Sequence, residues 1–205
     1  MDRTEALAAL DLLRRVVSQA RDDTALQNWG MVWIVSGLTN ATGFALTNVL
    51  ALSLEPLRPF PFAVLWTIVL GFNLGVIFVV RDRSAGARTF FEGQIWAIWT
   101  TFIAAGVLVA VVNAMLGLDV LFIGPVLAIL AAVAFASMGA IFTRTFFAFS
   151  AVFAGTALLM ALAPRWQFFL FGAVWGLFQS GAGVQLHREK LRRLRASPAE
   201  VPRLV

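Results

Sequence analysis

Three side-chain amides, those of Asn40, Asn73 and Gln179, interrupt long apolar segments of the chain. An amide in hydrocarbon is costly unless its N–H and C=O groups find hydrogen-bond partners, so we expect all three to face the protein interior. Such amides can form hydrogen bonds between helices, or they can line a cavity with Trp175 as its apolar wall and bind a small uncharged or zwitterionic ligand. Interhelical hydrogen bonding is the default interpretation for such amides, and ligand binding by these four candidate residues is the alternative.

The sequence offers few other groups for chemistry. It contains no cysteine and a single histidine, His187, so it excludes disulfides and thiol nucleophiles and leaves too few ligands for most metal sites. It also lacks a nucleophile paired with a base and a glycine-rich loop for phosphate. All acidic and basic residues lie in tails, loops or the ends of apolar segments, whereas proton relays carry ionisable groups within the membrane. We therefore predict a protein without catalytic residues, metal or cofactor.

Composition indicates a membrane protein. Hydrophobic residues make up 60% of the 205-residue chain and charged residues only 13%, against about 25% charged residues in soluble domains. A soluble fold of this length could not bury so much apolar surface. The formal net charge of +5 comes from basic residues beside the apolar segments, so we interpret it as a topology signal and predict no nucleic-acid binding.

Six apolar segments have about the 20 residues that a helix needs to cross a bilayer. We therefore predict an all-α fold, in which a polytopic membrane domain at residues 29–186 forms a six-transmembrane-helix bundle. The predicted spans are residues 29–52, 60–80, 94–116, 119–142, 146–163 and 166–186.

Small residues recur at every fourth position in several of these spans, which allows neighbouring helices to approach closely. We expect the stripe in the fourth span to form a face buried against a neighbouring helix. The stripes are Gly37, Ala41 and Ala45 in the first span, Ala128, Ala132, Ala136 and Ala140 in the fourth, and Gly172, Gly176 and Ser180 in the sixth.

Two charged segments flank the membrane domain. Residues 2–24, within an N-terminal region of residues 1–28, have apolar positions at intervals of three and four, which predicts an amphipathic cytoplasmic helix. The last span continues into a basic helix at residues 187–195, followed by a tail that we predict to be disordered. We expect the basic side chains of both helices to face anionic lipid or a protein partner. They are Arg14, Arg15, Arg21, Arg188, Lys190, Arg192, Arg193 and Arg195.

The basic residues also predict an orientation, because loops rich in Lys and Arg are retained in the cytoplasm. With both termini inside, every Lys and Arg except Arg58 and Arg165 lies on the cytoplasmic side. The opposite orientation would place nearly all of them outside. We therefore predict a multi-pass protein of the inner (cytoplasmic) membrane with cytoplasmic N- and C-termini.

Our leading functional interpretation is a non-enzymatic integral protein of the inner membrane. We expect it to anchor or regulate a cytoplasmic or membrane partner through residues 2–24 and 187–195, because these helices and one basic loop are its main water-accessible elements. Membrane lipids are the second expected contact. A homo-oligomer is an open alternative.

The size, the six spans and the cytoplasmic termini also resemble the substrate-binding membrane component of energy-coupling-factor vitamin transporters. In that family small residues on the first helix contact a transmembrane coupling subunit, and Gly37, Ala41 and Ala45 resemble that feature. The resemblance implies an alternative function, a small-molecule-binding membrane component of a transporter. It does not predict the N-terminal amphipathic helix.

Overall fold

Residues 28–53, 59–80, 90–141 and 143–196 are described by the structure, a computed structural model. These residues are almost entirely helical and contain no β-strand, so the predicted all-α class is confirmed for them. Two single 3-10 turns, Val120–Phe122 and Pro164–Trp166, each precede a long helix. The long helices are α1 Trp29–Ser53, α2 Pro59–Val80, α3 Phe90–Met115, α4 Ile123–Ile141, α5 Thr145–Leu162 and α6 Gln167–Ala196.

Helices α1 to α5 are each long and apolar enough to cross a membrane. Helix α6 is the longest helix of the described residues, and it is not among these five. Many large apolar side chains of the bundle point outward and are exposed, as lipid-facing side chains are in membrane proteins. The described residues therefore form a membrane-embedded bundle of five or six long apolar helices.

Some predicted elements lie outside the described residues, among them the amphipathic N-terminal helix and the tail. Elsewhere the helix ends differ by a few residues from the predicted spans. The carboxylate of Asp119 accepts a hydrogen bond from the backbone N–H of Leu121 over 2.9 Å and caps a 3-10 turn, so α4 begins only at Ile123. Capping turns of this kind are not visible in the distribution of apolar residues.

Helices α1 and α6 run antiparallel and form the most extensive pair in the bundle. A side-chain carbon added at Gly183 would lie 2.7 Å from the carbonyl oxygen of Gly30. One added at Gly172, nearer the other end of the pair, would lie 2.7 Å from Cβ of Phe44. Distances this short leave no room for a methyl group, so the glycines permit the two backbones to touch along most of their length.

The contacts of α1 with α6 follow alternating steps of four and three residues, the spacing typical of left-handed helix pairs. The predicted small-residue stripe of the sixth span lies on this interface, since Gly176 contacts Ala41 and Ser180 contacts Gly37. The contacting positions on α1 are Gly30, Ile34, Gly37, Ala41, Phe44 and Asn48, whose Oδ1 accepts a hydrogen bond from the backbone N–H of Phe169.

Helices α4 and α5 form a second closely packed pair. The predicted alanine face of α4 is only half correct: Ala128 and Ala132 are buried, whereas Ala136 is half-buried and Ala140 is exposed. Four residues turn a helix about 40° beyond a full turn, so a row at every fourth position drifts away from a straight neighbour. The buried face follows steps of three and four instead. It contains Ala128, Ala131, Ala132, Phe135, Met138 and Gly139, and Gly124 and Ala134 of the same helix are buried as well.

The bundle has two ends. We call the end with Asn28, Val80 and the last turns of α6 the basic end, and the end with Asp119 and Arg165 the opposite end. Helix α2 packs chiefly on α1, and α3 packs chiefly on α4. These two helices therefore lie outside the α1/α6 and α4/α5 pairs.

Candidate functional site

The four candidate ligand-binding residues form one hydrogen-bonded chain, which we call the amide cluster. Asn73 on α2 donates from Nδ2 to Oδ1 of Asn40 on α1 over 2.8 Å. Nδ2 of Asn40 in turn donates to Oε1 of Gln179 on α6 over 3.4 Å. The same oxygen accepts the indole N–H of Trp175, one turn earlier on α6. The amide cluster thus joins three helices near their midpoints.

Trp175 fixes the direction of this chain, because an indole nitrogen can only donate. The Gln179 atom that faces it must be Oε1, and the Asn40 atom facing that oxygen must be Nδ2. Oδ1 of Asn40 therefore faces α2, where it requires a donor, and Nδ2 of Asn73 supplies it. Oδ1 of Asn73 is buried and has no hydrogen-bond partner among the described residues.

Aromatic rings from five helices, α1 and α3 to α6, surround the indole of Trp175, a residue that is 6% exposed. The ring of Phe102 stacks on it at 5.4 Å between centroids, and the ring of Trp99 meets it edge-on at the same distance. Phe153 and Phe171 contact it from α5 and α6. Trp175 is therefore a packed core residue, and its indole N–H is the one polar group that it offers the amide cluster.

Helix α2 is tied to α1 by hydrogen bonds at two further levels. Toward the opposite end, the indole N–H of Trp66 donates to Oγ1 of Thr47 over 3.1 Å. At the basic end, Nδ2 of Asn28 donates to the carbonyl oxygen of Val80, the last residue of α2, over 3.3 Å. The α1/α2 contact thus consists of apolar packing with one polar tie near each end and one in the middle.

Asn28 connects the start of α1 to α2 and α6 at the basic end. Its backbone has a φ of 63°, a left-handed conformation that Asn adopts more readily than most residues. Its side chain donates to Val80 and accepts a hydrogen bond from the ammonium group of Lys190 on α6. We call this arrangement the Asn28 clamp. It fixes the start of α1 between the end of α2 and the last turns of α6.

The basic side chains predicted to face lipid or a partner divide into two groups. Arg188 and Arg192 are exposed on α6, and Leu191 between them is 40% exposed. Lys190 is half-buried and bonded in the Asn28 clamp, so it has a partner within the chain. The side chains of the other five predicted basic residues lie outside the described part of the chain. They are Arg14, Arg15, Arg21, Arg193 and Arg195.

The opposite end is closed by two asparagines and contains one buried glutamine. Nδ2 of Asn48 donates to the carbonyl oxygen of Arg165 over 3.1 Å, which ties the turn between α5 and α6 to α1. Nδ2 of Asn113 donates to the carbonyl oxygen of Leu118 and so closes the turn after α3. Gln167 is 1% exposed, and neither its amide nitrogen nor its amide oxygen has a hydrogen-bond partner.

Sequence reasoning missed the Asn28 clamp and the aromatic surround of Trp175. Asn28 directly precedes the first apolar span, a position where Asn is typical of a helix start or a chain reversal, and this signal could have identified it. No comparable signal exists for Phe102 and Phe153, because they are two of 19 phenylalanines. Comparisons with family models, with curated proteins and with solved structures find no match to this chain.

Proposed function

We propose that this chain is a six-span inner-membrane protein that anchors two cytoplasmic segments, residues 2–24 and 187–195, for contact with an acidic protein partner. The observation that carries the proposal is the continuity of α6, which has 30 residues without a break. At 1.5 Å per residue such a helix is about 45 Å long, whereas the hydrocarbon core is about 30 Å thick. Residues 187–196 therefore form a rigid basic extension of a membrane span, and we call them the basic extension.

An unbroken helix favours a protein partner over lipid as the main contact. A helix that lies on a membrane surface has its axis in the membrane plane, so it must bend where it leaves the span. The basic extension continues along the axis of its span, and Arg192 lies about 6 Å farther along that axis than Arg188. Arginine is enriched among the residues that contribute most to protein interfaces, and Arg188 and Arg192 are both exposed on the basic extension.

The Asn28 clamp supports a combined role for the two segments. Because Asn28 is bonded to Lys190, the first described residue of the chain lies directly beside the basic extension. A partner that contacts one segment is then within reach of the other. The bundle itself would serve as the membrane anchor, and the amide cluster would stabilise it.

The orientation is tested by single-cysteine labelling, which needs no background removal because the chain has no cysteine. We expect a membrane-impermeant maleimide to label Arg58→Cys in intact cells, since this residue lies in the predicted external loop. Arg192→Cys should react only after the membrane is made permeable. The reverse pattern would contradict the proposed topology.

The partner contact is tested by charge reversal. We expect Arg188→Glu with Arg192→Glu to abolish co-purification of one protein from gently solubilised membranes, and deletion of residues 2–24 to abolish co-purification of the same protein. Arg165→Glu is the matched control, because Arg165 is also exposed but lies at the opposite end. A set of co-purifying proteins that is identical in all variants, with only bound anionic lipid reduced, would contradict the protein-anchor proposal in favour of lipid.

A further inference from the structure

The carbonyl oxygen of Asn73 is a buried acceptor that the amide cluster leaves unpaired. The residue is 9% exposed, and its Oδ1 is buried without a hydrogen-bond partner. An unpaired buried acceptor is unusual, because native proteins satisfy most buried polar groups with protein or ordered water. The other members of the amide cluster direct their hydrogen bonds toward one another, so none of them satisfies this oxygen.

The unpaired atom of Asn73 is an oxygen, so it can only accept a hydrogen bond. If the Asn73 amide were reversed, its oxygen would face Oδ1 of Asn40, and reversing Asn40 would bring its oxygen against Oε1 of Gln179. Reversing Gln179 as well would turn its amide nitrogen toward the indole N–H of Trp175, so that two donors would face each other. The donor at Trp175 therefore determines, through three amides, that the free atom on α2 is an oxygen.

From this we infer that Asn73 Oδ1 is the binding site of an uncharged hydrogen-bond donor, either a water molecule or the O–H or N–H group of a small neutral molecule. Helices α1 and α2 contain no ionisable side chain, so nothing in them would compensate a charged guest in the membrane interior. A hard metal cation needs six or more oxygen ligands, whereas the cluster leaves one. This inference does not depend on the proposed partner contact at the basic end.

Helix α2 offers the entry route for such a guest. In the described conformation Oδ1 of Asn73 is sealed from solvent, so a neighbouring group must move before the guest can enter. Because α2 packs chiefly on α1, a small displacement of α2 disturbs few other helix contacts. Phe72 and Leu74, which flank Asn73, are exposed, so none of the described helices covers them on the outer surface.

The direct test is a crystal structure of the full chain at a resolution that shows ordered water, combined with native mass spectrometry of the same preparation. We expect density about 2.7 to 3.2 Å from Asn73 Oδ1. Density together with an adduct of defined mass identifies a small organic molecule, and density without an adduct identifies water; both support the inference. A structure that shows ordered water elsewhere and no donor near this oxygen would overturn it.

Two variants and one control variant make the test specific. Asn73→Leu should lose the density and any adduct, whereas Asn113→Leu, which removes a buried amide near the opposite end, should retain them. Trp175→Phe is the second variant, and it removes the donor that fixes the direction of the chain. With that donor gone the amides can reverse, so exchange of the Asn73 Nδ2 protons, measured by NMR, should rise several-fold. Unchanged exchange would overturn the direction argument.

Discussion

The indole N–H of Trp175 donates to Oε1 of Gln179, the residue four positions later on the same helix. This intrahelical bond orients the amide that α6 presents to α1, and it thereby orients Asn40 and Asn73 in turn. A residue that the sequence suggested as an apolar wall is thus the polar starting point of the cluster. Its ring is packed as core, and its nitrogen determines which atoms of three amides face one another.

The first prediction concerns coupling within the amide cluster. Trp175→Phe keeps most of the ring packing and removes the donor, so we expect it to lower the free energy of unfolding by about 1 kcal/mol. In a Gln179→Leu background, where the acceptor is absent, Trp175→Phe should lower the free energy of unfolding by a much smaller amount. A double-mutant cycle in detergent micelles measures this difference. Additive effects would contradict the hydrogen-bonded chain.

The second prediction concerns the α1/α6 interface. Gly183→Ala places a carbon 2.7 Å from both the Gly30 carbonyl oxygen and the Ile34 nitrogen, so the helices must separate. We expect the free energy of unfolding to fall by about 1 to 3 kcal/mol, the usual effect of overpacking a core. Gly181→Ala, two residues away on the same helix, is the control, because nothing lies within 4 Å of the added carbon. Thermal unfolding of both variants tests the prediction, and equal midpoints would contradict the close approach.

The third prediction concerns the Asn28 clamp. Asn28→Gly retains the left-handed backbone conformation but removes both side-chain hydrogen bonds, to Val80 and from Lys190. We expect faster hydrogen–deuterium exchange in residues 187–196, measured by mass spectrometry, with unchanged exchange in α5. Lys190→Met removes the donor of the Asn28–Lys190 hydrogen bond, so it should also speed exchange in residues 187–196. Unchanged exchange in both variants would show that the clamp does not hold the basic extension.

The fourth prediction concerns Gln167, a buried amide with no hydrogen-bond partner for either polar atom. A methionine side chain has a similar length and flexibility but no amide group that requires hydrogen bonds. We therefore expect Gln167→Met to raise the free energy of unfolding by about 1 to 2 kcal/mol. Gln179→Met is the contrast, because it removes an acceptor that is in use and should destabilise. Denaturation of both variants in micelles measures the difference. A loss of stability in Gln167→Met would mean that its amide has a partner.

Much of the fold could be predicted from the sequence, because hydrocarbon imposes a length and a composition on each helix. Burying an unpaired amide in hydrocarbon is unfavourable, which predicted that Asn40, Asn73 and Gln179 face the interior. The structure brings these three residues together. Side-chain direction could not be predicted, since it depends on Trp175 and on which helices are neighbours. The sequence also gave no reason to pair the first helix with the last.

The alanine face of α4 shows why the remaining details were not predictable. A repeat of four is easy to see in a sequence, but a neighbouring helix follows steps of three and four. Ala131 and Met138, which the repeat omits, are buried, and Ala140, which it includes, is exposed. Which residues of α4 are buried depends on which helix packs against it, and the residues of α4 alone do not identify that helix.

The central claim, that the basic extension is a cytoplasmic docking element, is tested most directly by site-specific photocrosslinking in native membranes. A photoreactive amino acid replaces Arg192 in one variant and Arg165, at the opposite end, in another. We predict that position 192 crosslinks to one identifiable acidic protein, that the crosslink disappears on deletion of residues 2–24, and that position 165 never forms it. Crosslinks from position 192 to lipid alone would contradict the claim.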